Sequence, residues 1–383
     1  MKNHSVTRPK IVVIAQFPIN ALSGEFSGRG GGQAATWLPQ LAKSWDSQET
    51  FEIHWVIFDY KQNHAEMIEQ WGQFFHRIPC PSITVSMIAA RWPQRLACRK
   101  LFRTIRPDLI HCWGTENLNG SALLEFNGSS ILSMQGIINT CIKTGDLRGW
   151  RWQLFCRWEP TSIRKASVVT SESKWGMNQV ASIVPGKFLR QVEYGVNPSY
   201  YQVSWHPDAT KPRIIFVGSL TRLKGVDILL EMLKRHPQRP WKMIFAGDGY
   251  LADALRNLND PNVEVLGMIK SDQVQAEMAK AWALVMPSRA DTSPNVVKEA
   301  RVIGLPVIGS PNGGHAEYIV HGKDGFIVPS EDPNEWFNAL NQLASDFDLC
   351  QSMGTARHEF FREYFRPEKT AEAFLELYRE MLD

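Results

Sequence analysis

The stretch RIIFVGSLTRLKGVDILLEML, residues 213–233, decides how this chain is read. Arg213–Gly218 is a short β-branched and aromatic run that fits a buried strand, and Val226–His236 carries apolar residues at helical spacing. Between them lies Gly218-Ser219-Leu220-Thr221-Arg222-Leu223-Lys224-Gly225. A strand end, a glycine turn, two cations and a helix start make a seat for a diphosphate. Glycine lets backbone approach the phosphates, helix N–H groups donate, and Arg222 and Lys224 neutralise charge. The same residues also fit an ordinary strand-to-helix turn with solvated cations.

Outward from this unit the rhythm repeats. Strands are expected at Lys10–Phe17, Phe51–Asp59, Asp108–Trp113, Ser130–Met134, Ser167–Ser171 and Leu189–Tyr194 before it. After it they are expected at Lys242–Gly247, Val263–Leu266, Ala283–Pro287, Pro306–Ser310 and Gly325–Val328. Helical patterns fall between, among them Gln33–Trp45, Pro93–Ile105, Trp150–Lys165, Leu251–Leu258, Gln273–Ala281 and Asn295–Ile303. Alternating β and α segments predict parallel sheets wrapped by helices, and 383 residues exceed one ordinary core. We therefore expect an α/β protein of two facing, Rossmann-like, doubly wound domains, residues 1–200 and 201–365. The seam is placed at Asn197–Pro212, where Pro198, Pro207 and Pro212 interrupt regular structure. Ligands of such sheets collect at the carboxyl ends of the strands, so functional residues should follow strands directly.

Composition narrows the class. At 44% hydrophobic and 21% charged residues the chain is globular, and no apolar run approaches the length that spans a bilayer. Ile11–Ala15 is too short for a signal-peptide core and reads as a buried strand. Cys80, Cys98, Cys112, Cys141, Cys156 and Cys350 are scattered without a CxxC pair, which argues against a disulfide framework or a zinc site and points to a reducing cytoplasm. Residues 1–200 carry a net +8 and the remainder −5, so the halves are expected to meet different partners.

Two more clusters follow strands in the second half. In Ser288–Ala300, Asp291 and Thr292 belong to a loop, Ser293 is a natural N-cap, Pro294 a natural first helical residue, and Asn295 continues the helix. Glu299 falls a turn and a half inside. A loop carboxylate can accept bonds from sugar hydroxyls, and a helix carboxylate fits a vicinal diol such as ribose. The competing reading pairs Glu299 with a neighbouring cation on an exposed face. The third cluster, Pro311-Asn312-Gly313-Gly314-His315-Ala316-Glu317, is a glycine turn before a helix.

Together, "VGSLTRLKGVDILLEML", "FAGDGYLADAL", "VEVLGMI", "MPSRADTSPNVVKEARVIGLPVIGS", "GGHAEYI" and "GKDGFIVPSEDP" resemble the C-terminal domain of family 4 glycosyltransferases, the retaining group with the GT-B fold. The resemblance implies a nucleotide-diphosphate sugar as donor. Asp291 and Glu299, seven residues apart, match the carboxylate pair that binds donor sugar and ribose, and Lys224 matches the phosphate-binding lysine. Gly218 and Ser219, the Gly247-Asp248-Gly249 turn, and Leu266-Gly267-Met268 would line the donor and its base. Asp291 stands where the family usually has Glu, and Ser219 where many members have Arg; Arg222 would supply that charge. The resemblance further implies that the final helix, residues 366–383, packs back on the N-terminal domain.

The first half resembles the family more weakly. Gly31 and Gly32 fall where the family has its glycine-rich loop near donor phosphate and acceptor. His111, in "DLIHCWG", marks a strand end on the acceptor side, with a satisfied, partly buried histidine as the plainer reading. Gln135, in "SMQGIIN", falls where many members carry a functional His, and an amide cannot act as a base. The one Asp-x-Asp triplet, Asp346-Phe347-Asp348, lies in a polar helical stretch, so we expect no metal and no cofactor, with Arg222, Lys224 and helix N-termini stabilising the leaving diphosphate.

Basic residues of the first half concentrate in two aromatic-rich helices. Arg91, Arg95, Arg99, Lys100, Arg103 and Arg106 interleave with Trp92, Leu96 and Phe102; Arg148, Arg151, Arg157, Arg164 and Lys165 interleave with Trp150, Trp152, Phe155 and Trp158. Such helices fit an anionic membrane surface or a lipid-linked acceptor, and equally an amphipathic helix with a basic solvent face. Nucleic acid is not expected, since charge is near balance overall. The function expected is metal-independent, retaining transfer of a sugar to a glycan or lipid-linked acceptor in cell-surface polysaccharide synthesis, in the cytoplasm or at its membrane face. The rivals are another GT-B enzyme, such as a sugar-nucleotide epimerase or a phosphorylase, and a catalytically silent paralogue that binds a partner.

Overall fold

The computed structural model describes residues 8–22 and 37–383, so Gly31 and Gly32 lie outside the described residues. These residues divide into two compact units. One comprises the chain up to Asn139, Arg148–Glu193 and Pro367–Asp383; the other comprises Thr140–Leu147 and Tyr194–Arg366.

The first unit is built on strands β1 (Lys10–Ile14), β2 (Glu52–Asp59), β3 (Glu66–Gln70), β4 (Gln73–Pro79), β5 (Leu109–Trp113), β6 (Ser129–Met134), β7 (Val168–Ser171) and β8 (Leu189–Gln191). They form one sheet in the order β3-β4-β2-β1-β5-β6-β7-β8. All of β5, and all but the first residue of β1, β2 and β6, is buried, as expected of parallel strands covered on both faces. Among the described residues the edge hairpin β3–β4 is the one antiparallel pair, and its two-residue turn, Trp71-Gly72, has φ of +50° and +63°. Both residues of such a turn need positive φ, and Trp at the first position carries none of the Asn-Gly signature that announces it.

Helix Pro367–Leu382 belongs to this unit. Its buried face presents Ala371, Phe374, Leu377 and Tyr378; Trp45 Nε1 donates to Ala371 O at 3.1 Å, and Thr370 Oγ1 donates to Glu193 O at 2.9 Å. His111 sits on β5 beneath it.

The second unit holds β9 (Arg213–Val217), β10 (Lys242–Ala246), β11 (Val263–Gly267), β12 (Ala283–Met286), β13 (Val307–Gly309) and β14 (Gly325–Ile327), all parallel, in the order β11-β10-β9-β12-β13-β14. Counted within the unit this is 3-2-1-4-5-6, the Rossmann order, whose switch point lies between β9 and β12. Leu229, Leu233, Trp241, Trp336 and Leu340 cover one face of the sheet; Met278, Val297, Ala300, Phe361 and Phe365 belong to the cluster on the other.

The seam differs from expectation. Pro198 opens a 3-10 turn, Pro198–Gln202, capped by Asn197, and Tyr200 within it is buried with Val196, Phe361 and Phe365. Val196 N donates to Phe365 O at 2.9 Å. These prolines stiffen a segment of the second unit, and the division falls at Glu193/Tyr194. Among the described residues, no helix is long and apolar enough to cross a membrane.

Candidate functional site

Three glycines bring the loops of the second unit's switch point into contact. A Cβ on Gly247 would lie 1.9 Å from Gly218 O, one on Gly249 2.5 Å from Leu220 O, and one on Gly225 2.1 Å from Pro287 O. No other residue fits at these positions, so the loops after β9, β10 and β12 pack backbone to backbone. Leu220 N donates to Asp248 O at 2.9 Å, Gly218 N to Ala246 O at 3.0 Å, and Gly247 N to Gly267 O at 2.8 Å. Gly225 and Gly267 take the left-handed conformation, with φ of +73° and +70°.

On this frame Lys224 and Asp291 meet across the switch point in an ion pair, each side chain largely shielded. Arg222 is exposed and reaches Asp227 at 3.5 Å, while its N–H donates to the Tyr250 hydroxyl at 2.9 Å. Ser219, Asp248 and Met268 are exposed around the same loops, with Leu266 and Asn295 half-buried.

Helix Asn295–Ile303 follows β12, and its N-cap is Pro294, with φ −69° and ψ 119°. Ser293, expected as the cap, is turned away: it is buried, with its Oγ 2.9 Å from the Tyr318 hydroxyl. Thr292 is also buried. Glu299 does not pair with a cation on an open face. Its carboxyl is largely shielded, burial pushes it up to about 7, and the Tyr200 hydroxyl donates to it. Lys298 beside it is buried and donates to Tyr194 O at 3.0 Å. The third cluster closes on the second, since Gly314 N donates to Asp291 O at 2.9 Å. His315 is buried behind the Lys224–Asp291 pair, held well below the ordinary imidazole range at about 4 by burial and therefore neutral.

Several participants went unread in the sequence. Arg289 chelates Asp227 at 2.6 and 3.0 Å and Glu331 at 2.7 and 2.8 Å, and it donates to Arg222 O, pinning the Arg222 loop. Asp146, from the 140–147 segment, accepts from Leu223 N and, at 2.5 Å, from the Tyr250 hydroxyl. Its distance in sequence from the loop it touches left no local signal.

In the first unit His111 is wholly buried, with Nδ1 2.7 Å from the Tyr378 hydroxyl and Nε2 2.6 Å from Ser133 Oγ. Both ring nitrogens are taken and no edge reaches solvent, so His111 is a packing group beneath the C-terminal helix and not an acceptor contact. Gln135 lies half-buried in the bend after β6. Asp346 caps helix Phe347–Thr355 by accepting from Leu349 N at 2.9 Å, which removes the Asp-x-Asp triplet from any strand-end loop.

The comparisons agree with this architecture. Residues 211–346 match the family model described as "Glycosyl transferases group 1". That stretch is similar to the family, and the chain as a whole has a GT-B fold. An uncharacterized glycosyltransferase of Methanocaldococcus jannaschii is 30% identical over 173 residues, 44% of this chain and 48% of the relative. The chain thus spans about half the length of the curated relatives it matches. Among solved structures, a sucrose-phosphate synthase from Thermosynechococcus elongatus superposes with a TM-score of 0.78 at 18% identity, over 97% of this chain and 99% of that one. An Anabaena protein, HepE, solved with UDP-glucose, superposes with a TM-score of 0.71 at 17% identity, over 97% and 99%. At such identities these GT-B structures speak for the fold alone.

Proposed function

We propose that this GT-B chain is a retaining glycosyltransferase that moves a sugar from a nucleotide-diphosphate sugar to a glycan or lipid-linked acceptor, in cell-surface polysaccharide synthesis. The observation that carries the reading is the pairing of Lys224 with Asp291 across the switch point, with Glu299 on the helix that follows. Lys224 and exposed Arg222 are the cations for the diphosphate, and Asp291 is the acceptor for donor-sugar hydroxyls. Glu299, presented by Tyr200, takes the ribose diol. The HepE complex with UDP-glucose supports a UDP-sugar as first candidate.

The chemistry asks for positioning and charge stabilisation. The bond from the anomeric carbon to the diphosphate oxygen breaks, its electron pair leaving with the phosphate, while the acceptor oxygen attacks from the same face. The acceptor's proton passes to the departing phosphate. Lys224, already held beside a carboxylate, meets the growing negative charge without reorganisation, so no metal is needed for that role.

Exposed Trp92 and Leu96, beside exposed Lys100, Arg103 and Arg106, support an anionic membrane face as the place of acceptor encounter. Arg95 and Arg99 are less available, since both pair with Glu125 at 2.5 and 2.7 Å.

A calorimetric screen of UDP-, GDP- and ADP-sugars without added metal tests the donor reading. One nucleotide should bind, and Glu299→Ala and Lys224→Ala should each weaken it by about tenfold to a hundredfold, the worth of a charge-assisted bond. Binding of none would favour a silent paralogue.

A further inference from the structure

The first unit contains a cavity of about 420 Å³ that no residue named for the donor lines. Glu116, Asn117, Arg148, Trp150, Trp152 and Ile83 are among the residues that line it. Its volume is that of small-molecule sites. It lies just past the carboxyl end of β5, beside the point where strand order reverses between β1 and β5, where open sheets take their ligands.

The walls are built features. Thr115 N donates to Glu116 Oε2 at 2.8 Å, and a Cβ on Gly114, whose φ is +75°, would lie 2.8 Å from that oxygen. Glycine therefore lets the carboxylate fold against the backbone. Beneath it, buried Glu159 accepts from Thr115 Oγ1 at 2.8 Å and from Ile138 N and Asn139 N at 2.9 Å. Pro160 lacks the N–H that would bond to Cys156 O, and Asn139 Nδ2 donates there instead, at 2.9 Å. This floor ties the loop after β6 to helix Trp150–Lys165. Trp150, the first residue of that helix, remains 50% exposed.

We infer that this cavity binds a sugar ring, with an indole of Trp150 or Trp152 under its C–H face and Glu116 and Asn117 bonded to its hydroxyls. A lining that combines indole rings with hydrogen-bonding side chains matches a pyranose, which has an apolar face and a polar rim. A phosphate group would meet the Glu116 carboxylate, and an acyl chain would leave that carboxylate and the Asn117 amide unpaired. That the sugar belongs to the acceptor rests on the transfer reading above.

Saturation-transfer NMR on the full chain with maltose, cellobiose and chitobiose tests this, alongside Trp150→Ala and the isosteric Glu116→Gln. One disaccharide should receive saturation, and each substitution should weaken it about tenfold or more. No transfer from any of the three, or equal affinity in wild type and both variants, overturns the proposal. UDP-, GDP- and ADP-sugars titrated in turn into the same wild-type sample separate the two readings. Saccharide binding without nucleotide binding sinks the transferase reading and leaves the cavity's assignment standing.

Discussion

Glu299→Gln should make the protein more stable, and increasingly so as pH rises. Burial lifts the Glu299 carboxyl from its ordinary 4.5 to about 7, so between those values the folded chain holds a proton that the unfolded chain has released. Stability must therefore fall as pH rises through this window, and the loss is complete above the folded value. About 2.5 pH units at about 1.36 kcal/mol each set the full penalty near ~3 kcal/mol, an upper figure because the side chain keeps some solvent contact. Gln is neutral at every pH and can still accept from Tyr200. Between about pH 5 and about pH 8 the advantage of Glu299→Gln over wild type should grow by about 2–3 kcal/mol. Guanidinium denaturation at the two pH values, wild type beside variant, reads this directly as a widening gap in midpoints. A gap that stays constant with pH would refute the claim that burial raises the Glu299 carboxyl. The trade of stability for a shielded carboxylate is what a binding site requires of its residues.

Three further outcomes follow from other parts of the structure. Tyr200→Phe removes the donor that favours the ionised carboxyl, so nucleotide affinity should weaken at neutral pH and recover at alkaline pH; a calorimetric pH series that merely shifts downward without recovery would argue for a packing role alone. Gly225→Ala places a Cβ 2.1 Å from Pro287 O at a φ of +73° and should cost about 2–4 kcal/mol in denaturant, against about 1 kcal/mol for Gly186→Ala, whose φ is +75° with open space around it. Vesicles rich in anionic lipid should co-sediment the chain at low salt, and Lys100→Glu with Arg103→Glu should release it; equal sedimentation with neutral vesicles would remove the membrane face from the account.

Much of this fold was legible because parallel strands buried on both faces leave continuous apolar runs, as in Ile214-Ile215-Phe216 and Met243-Ile244-Phe245. The glycines were legible as turns, while their deeper reason, backbone contact between three loops, needed coordinates. Asp291 and Glu299 stood out through family spacing. Their surroundings did not, because Tyr200 and His315 reach them through tertiary packing with no local pattern. The same holds for Arg289, whose two ion pairs join residues 227 and 331, and for Asp146, whose segment 140–147 belongs with the second unit although the stretches on either side of it belong to the first. Ser293 misled because a good capping side chain found a better partner in Tyr318. His111 shows the converse: a histidine at a strand end in the right motif was spent on the core by the returning C-terminal helix.

The central claim is transfer of a sugar with retention, and the anomer first released reports on it most directly. Proton NMR of UDP-glucose incubated with the chain, without added metal and with water as the acceptor of last resort, should show the α-anomer of glucose appearing first. Appearance of the β-anomer first would contradict retention. Intact UDP-, GDP- and ADP-sugars after prolonged incubation would contradict the assignment of a transferase.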